Sequence, residues 1–137
     1  MEQLKTFNTL KGSVKSFDEL VGRVLCRAEA TDEELTLYLS DTNYVRFFHY
    51  QDCCETVYIE DICGDLTDLV GEPLLLAEEV SNYQADRKEE YDESYTWTFY
   101  KFATRKGYVD VRWYGTSNGY YSEGVTVECI DDTVIDE

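Results

Sequence analysis

The chain predicts a predominantly antiparallel β-sheet domain of the α+β class, with seven or eight short strands and one or two short helices. Three observations carry that expectation. Apolar and aromatic residues alternate with polar ones over short runs, as in Leu35-Thr36-Leu37-Tyr38-Leu39 and Tyr95-Thr96-Trp97-Thr98-Phe99. Turn-forming residues recur between such runs, and a single proline, Pro73, interrupts the chain. Aromatic residues make up 15% of the 137 positions, a share that favours strands and separates this chain from disordered acidic sequences.

Residues 1–16 read as a polar, mildly basic lead-in with Lys5, Lys11 and Lys15. Asp18-Glu19-Leu20-Val21-Gly22 fits a short helical turn closed by glycine. Arg23–Ala28, Leu35–Leu39 and Tyr44–Tyr50 follow as strands, separated by the turn sequences Thr31-Asp32-Glu33-Glu34 and Ser40-Asp41-Thr42-Asn43. Thr56–Ile59 is a further short strand. Ile62, Leu66, Leu69 and Val70 recur at spacings of three and four, which predicts a short amphipathic helix ending at Gly71. Pro73 bars its continuation, and Leu74–Ala77 resumes as a strand. Asp86–Ser94 lacks periodicity and reads as an exposed loop. Tyr95–Phe102 and Tyr108–Tyr114 pair through a hairpin turn at Lys106-Gly107, and Val125–Ile130 closes the sheet before an acidic tail, residues 131–137. A single domain is expected over 1–137, with its ordered core at about 17–130.

The charge is unevenly spread. Twenty-nine Asp and Glu against 12 Lys and Arg give a net charge of −17. Fourteen acidic and two basic residues between Asp52 and Glu93 account for −12 of it. Such a field attracts cationic surfaces and repels polyanions, so direct binding of DNA or RNA is not expected. The exception is a small basic patch around the last hairpin, Lys101, Arg105, Lys106 and Arg112. No apolar run approaches the ~18–20 residues that cross a bilayer, and Met1-Glu2-Gln3-Leu4-Lys5 lacks an apolar signal segment. A soluble cytoplasmic protein is therefore expected, with no membrane contact. In that compartment the five cysteines, Cys26, Cys53, Cys54, Cys63 and Cys129, should be reduced and mostly buried. Adjacent Cys53 and Cys54 are not expected to bond to each other.

No Gly-x-x-x-x-Gly-Lys-Ser/Thr, Gly-x-Gly-x-x-Gly, Cys-x-x-Cys or His-x-x-x-His pattern occurs. The expectation is a protein that is not an enzyme and carries no cofactor. Two clusters hold what chemistry there is. His49-Tyr50-Gln51-Asp52-Cys53-Cys54-Glu55 sets the only histidine beside thiols and carboxylates. With Cys63 it offers a metal-ligand set of His49, Cys53, Cys54 and Cys63, or a thiol–imidazole pair. Were it catalytic, His49→Ala would abolish activity and leave the fold intact. Against both readings stand the lack of separated ligand pairs and the nearby carboxylates, which raise a thiol's pKa. The bland alternative is a turn whose small thiols pack beneath the sheet.

Arg112-Trp113-Tyr114-Gly115-Thr116-Ser117-Asn118-Gly119-Tyr120-Tyr121-Ser122 is the second cluster. Its glycines permit close backbone approach, and its aromatics offer stacking faces beside hydroxyl and amide groups. As a ligand site it would stack a base on Trp113, Tyr120 and Tyr121. Ser117 and Asn118 would supply hydrogen bonds, and Arg46, Arg105 and Arg112 would meet phosphates. The bland alternative is a hairpin whose aromatics cover one end of the core.

On these clusters, together with Ile59-Glu60-Asp61-Ile62-Cys63-Gly64-Asp65-Leu66 and Asp68-Leu69-Val70-Gly71-Glu72-Pro73-Leu74, the chain resembles a family of small, uncharacterised phage- and prophage-associated proteins. The resemblance spans roughly residues 17–130. It implies no catalytic residue. What it implies is a context, an accessory phage-type protein in the bacterial host cytoplasm, and such proteins often block host immunity.

The leading expectation is a non-enzymatic inhibitor of a bacterial defence system, of anti-CRISPR or anti-restriction type. It would imitate DNA and occupy a cationic, nucleic-acid-binding surface on a defence protein. Glu55, Glu60, Asp61, Asp65 and Asp68, with Glu89, Glu90, Asp92 and Glu93 on the loop, would form the contact face. The alternatives are a sponge for a nucleotide-derived immune signal at Arg112–Ser122, and a metal- or thiol-centred enzyme at His49, Cys53 and Cys54. A homo-oligomer is left open.

Overall fold

The computed structural model of the chain describes residues 4–6, 20–82 and 88–130. Its strands are β1 (Leu4–Thr6), β2 (Arg27–Ala30), β3 (Glu34–Tyr38), β4 (Tyr44–Phe48), β5 (Thr56–Cys63), β6 (Leu76–Asn82), β7 (Ser94–Thr104), β8 (Gly107–Ser117) and β9 (Thr126–Ile130). They form a five-stranded sheet in the order β1-β9-β4-β3-β2 and a four-stranded sheet in the order β5-β8-β7-β6. Every pairing between strands is antiparallel. The mostly antiparallel β architecture read from the alternation is the one the chain adopts.

The two sheets share one core. Leu35, Leu37, Val45, Phe47, Val127 and Cys129 come from the first, and Val57, Ile59, Tyr100, Phe102, Val109, Val111 and Trp113 from the second. Phe47 lies edge-on to Tyr100 and Phe102, with ring centroids 4.8 and 5.9 Å away. Each fully buried apolar side chain contributes about 1.5–3 kcal/mol through the area it removes from water.

The four-stranded sheet buries a face that alternation alone does not select. In 95–102 both parities carry aromatic residues, and the sequence makes Tyr95, Trp97 and Phe99 one group. The core instead takes Thr98, Tyr100 and Phe102. Pairing decides it: these residues lie opposite Trp113, Val111 and Val109 of β8, and that combined apolar row is the one that meets Phe47. Tyr95, Trp97 and Phe99 therefore stand half-buried on the outer face.

The helices expected from the sequence reduce, among the described residues, to short 3₁₀ structure. The Ile62–Val70 pattern becomes a single turn, Leu66–Leu69, with Leu69 buried. The strand β5 runs on through Ile62 to Cys63, and Gly64 then breaks it at φ +109°. A Cβ on Gly64 would lie 2.3 Å from the Tyr108 carbonyl oxygen, so only glycine permits this close turn. Asp65 caps the turn, its carboxylate accepting from the Thr67 N–H at 3.0 Å.

Strand ends also move. Val24 and Leu25 bridge to Pro73 and Val70, and the regular strand begins only at Arg27. Three residues of the expected lead-in, Leu4–Thr6, form β1 against β9. The remainder of 1–16, Asp18 and Glu19 of the expected helical turn, Asp86 and Arg87 of the expected loop, and the tail 131–137 lie outside the described residues.

Candidate functional site

β4 stops at Phe48, and residues 49–55 carry the chain from the five-stranded into the four-stranded sheet. Glu55 organises this crossing. Its carboxylate accepts from the N–H groups of Asp52 and Cys53, at 2.8 and 2.9 Å, and from His49 Nε2 at 2.6 Å. The His49 Nδ1 faces the Gly124 carbonyl at 2.7 Å. Both ring nitrogens thus face oxygen atoms, one on a side chain and one on the backbone. The His49 and Glu55 side chains are only 6% and 0% exposed. Burial alone would raise the Glu55 pKa. The N–H donors of Asp52 and Cys53, together with His49, override burial and lower it to about 2.

This geometry corrects two expectations. Glu55, assigned to the partner-binding face, is buried and has its acceptors filled from within. His49 has no nitrogen left for a metal or for a thiol proton. Cys53 and Cys54 are joined as a vicinal disulfide, contrary to the expectation that neighbours would not bond, because they occupy a turn and not a strand. Cys63 sits at the far end of β5, where its thiol points to Asp61 Oδ2 at 3.6 Å. The Asp61 charge raises the Cys63 pKa. Eight strand residues at about 3.3 Å each keep Cys63 from the other ligands in the set His49, Cys53, Cys54 and Cys63. Among the described residues no three His, Cys, Asp or Glu side chains converge to hold a metal ion. Nor are the thiols mostly buried: Cys26 and Cys63 are exposed and only Cys129 is enclosed.

The glycine-rich cluster meets the same corner from the other side. Gly115, Thr116 and Ser117 extend β8 and do not belong to the turn. The chain then folds back, so that a Cβ on Gly115 would lie 2.5 Å from the Glu123 carbonyl oxygen. Here the expected close backbone approach is real. The Glu123 carboxylate fastens the return by accepting from Thr96 Oγ1 at 2.7 Å and Ser117 Oγ at 2.5 Å. His49 fastens it at Gly124.

The acidic loop closes the corner. The Lys88 N–H donates to the Tyr114 phenol oxygen at 2.8 Å, and that hydroxyl donates to Asp92 Oδ2 at 2.5 Å. Tyr114 lies on the outer sheet face yet is 2% exposed. Burial, reinforced by Asp92, pushes its pKa up to about 12. Between loop, hairpin and crossing opens a cleft of about 260 Å³, walled by Tyr91, Asp92 and Glu93 on one side and Thr116, Ser117 and Asn118 on the other, with Tyr121 and Cys54. The two sequence clusters and the loop, far apart along the chain, are brought together there. Among the described residues, no basic side chain lines the cleft.

Many charges proposed for partner or ligand contact are committed elsewhere. A bulge between Ile59 and Asp61 re-aims Glu60, so that both Glu60 and Asp61 reach Arg112, at 2.7 and 3.5 Å. Glu60 also lies 3.4 Å from Lys88. Asp65 caps the 3₁₀ turn, and Asp68 lies against Gly107. Glu89, Glu90 and Glu93 are exposed. The three arginines do not converge: Arg46 joins Glu34 and Glu128 on the five-stranded sheet, Arg105 joins Glu72 at the hairpin tip, and Arg112 stands on the opposite sheet. Trp113 is 1% exposed in the core and presents no stacking face, whereas Tyr120 is 82% exposed. Ser117 is spent on Glu123, and Asn118 Oδ1 accepts from the Tyr120 N–H at 2.9 Å.

The family described as Domain of unknown function (DUF7448) matches residues 18–127. The chain belongs to that family. Neither a curated protein nor a solved structure matches it. In this DUF7448 domain the matched span reaches from just before β2 into β9 and contains the whole cleft. Sequence reasoning passed over Tyr91 and Glu123, and took Tyr114 only as one of the stacking aromatics of its cluster. Tyr91 had a signal, as the lone aromatic in Lys88-Glu89-Glu90-Tyr91-Asp92-Glu93.

Proposed function

We propose that this DUF7448 protein is a non-enzymatic binding protein that docks its acidic end on a cationic, nucleic-acid-binding surface of a partner. One observation carries the reading: at the cleft, exposed Glu93 and Tyr91 stand together with half-buried Tyr121, and no basic side chain among the described residues joins them in the lining. Tyr91 of the cleft is 79% exposed, and Tyr120, packed against the cleft-lining Tyr121, is 82% exposed; tyrosines of this kind serve as interface anchors, and acidic charge beside them steers a cationic partner. The ion pairs of Glu60, Asp61 and Glu72 narrow the contact surface from the whole 52–93 segment to the loop 89–93 and its surroundings. A binding role is further supported by the commitment of both His49 nitrogens to internal partners, the Gly124 carbonyl and the Glu55 carboxylate. From the phage-type resemblance we take the partner to be a bacterial defence protein, the nuclease or effector an anti-CRISPR or anti-restriction protein would block.

The test is titration against basic nucleic-acid-binding effectors of a bacterial host, by calorimetry, at rising salt and with competing duplex DNA. Affinity should fall steeply as the Debye length shrinks from about 30 Å at 0.01 M to about 8 Å at 0.15 M, and DNA should compete. Salt-independent binding, or DNA bound alongside the protein, would reject it.

A further inference from the structure

We infer that the cleft between the 91–93 loop and the end of β8 is a guanidinium-binding subsite, which on the proposed function receives an arginine side chain of the partner. The inference rests on that reading for the source of the group, and on the cleft alone for its chemistry. Anions are disfavoured, because Asp92 and Glu93 wall the space and no Lys or Arg among the described residues enters its lining. Asp92 is held in place before any ligand arrives. Its Oδ2 accepts from the Tyr114 hydroxyl at 2.5 Å and from the Glu89 N–H at 3.2 Å, which leaves Oδ1 for an incoming donor. The Tyr91 and Tyr121 rings add aromatic surface, and Tyr121 is steadied by perpendicular contact with Tyr120 at 5.0 Å. A planar cation among aromatic rings, with carboxylates at its edge, gains cation–π attraction and charged hydrogen bonds together.

The choice of guanidinium over other cations follows from the walls. A hard divalent ion needs about six or more oxygen ligands at short range, and no metal-holding group forms among the described residues. An ammonium is a compact, strongly hydrated point charge with three donors, suited to a tight ring of acceptors. Here the acceptors come from separate elements, the Asp92 and Glu93 carboxylates from the loop and the Thr116 hydroxyl from β8, while Asn118 Oδ1 already accepts from the Tyr120 N–H. A guanidinium presents five donors in a fixed plane and suits that separation.

The experiment follows amide shifts of the intact protein during titration with Nα-acetyl-arginine amide, free arginine, agmatine and Nα-acetyl-lysine amide. Saturable shifts at Tyr91–Glu93 and Thr116–Tyr121 are expected with the guanidinium compounds, and binding about tenfold weaker with the lysine analogue. Equal response to the capped and free amino acid supports an arginine side chain of a protein. A preference for free arginine or agmatine supports the same subsite filled by a small molecule. Glu93→Gln and Tyr91→Ala alter exposed side chains outside the internal network, so unchanged thermal melts should accompany about tenfold weaker binding in each. The inference fails if no shift saturates, if the lysine analogue binds as well, or if both variants bind normally. Should those variants still bind a basic partner with undiminished affinity, the subsite is overturned while the acidic-surface reading stands.

Discussion

Glu55 and His49 show how a residue's chemistry is reassigned by burial. In the sequence they belong to the most reactive-looking heptapeptide of the chain; in the fold they are a lock between the crossing turn and Gly124. His49→Ala should therefore destabilise the protein, since it removes one of the hydrogen-bond partners of the buried Glu55 carboxylate and the tie to Gly124. Thermal melting reads this directly, and an unchanged midpoint would remove the lock. The pH dependence has a definite sign. Glu55 has a folded pKa near 2 against an ordinary value of 4.5, so its contribution is fully present above 4.5 and is lost as pH falls through 2. Glu55→Gln should melt well below wild type at neutral pH, with the gap closing across that acid window.

At the scale of elements, the fold depends on how the segment after β8 returns over its own strand. Gly115 is the hinge of that return, because the Glu123 backbone occupies the place of its missing Cβ. Gly115→Ala should cost about 1–3 kcal/mol by overpacking, measurable as a lowered urea midpoint. Its amide shifts should spread through 117–125 to His49, because Glu123 and Gly124 are fastened to Ser117 and His49 respectively. Shifts confined to the two neighbours of Gly115 would show that the return is not fastened there. The 3₁₀ turn illustrates the same dependence on contacts. Lys106 Nζ donates to the Thr67 and Val70 carbonyls, at 3.2 and 2.7 Å, so the hairpin tip satisfies the end of a turn too short to support itself.

For the whole molecule the dominant long-range term is self-repulsion from a net charge of −17. Internal pairing relieves part of it, through Arg112, Lys88, Arg105 and Arg46, but those cations are far outnumbered. Raising ionic strength from about 0.01 to about 0.15 M should therefore raise the melting temperature while weakening binding to a cationic partner. The opposite signs separate the two effects. A melting temperature that falls with salt would mean that the surface ion pairs outweigh the repulsion.

Local sequence pattern was enough for the class of fold, the leucine row of β3, the acidic character of the surface and the β7–β8 hairpin, whose turn falls one residue earlier than read, at Arg105-Lys106. Each of these is local: period-two alternation, turn chemistry and charge composition need no distant partner. Only the tertiary structure decided which face of β7 became core, because Tyr95–Phe102 is aromatic at both parities and the choice rests on its pairing with β8. It also decided the roles of the charges. Glu55 vanished into a buried lock, Glu60 and Asp61 were bound by Arg112, and Trp113 left the ligand surface for the core. The cleft itself was legible only as two disconnected motifs and an acidic loop. Their meeting depends on strand order, which brings β5, β8 and β7 side by side and closes residues remote in sequence around one corner.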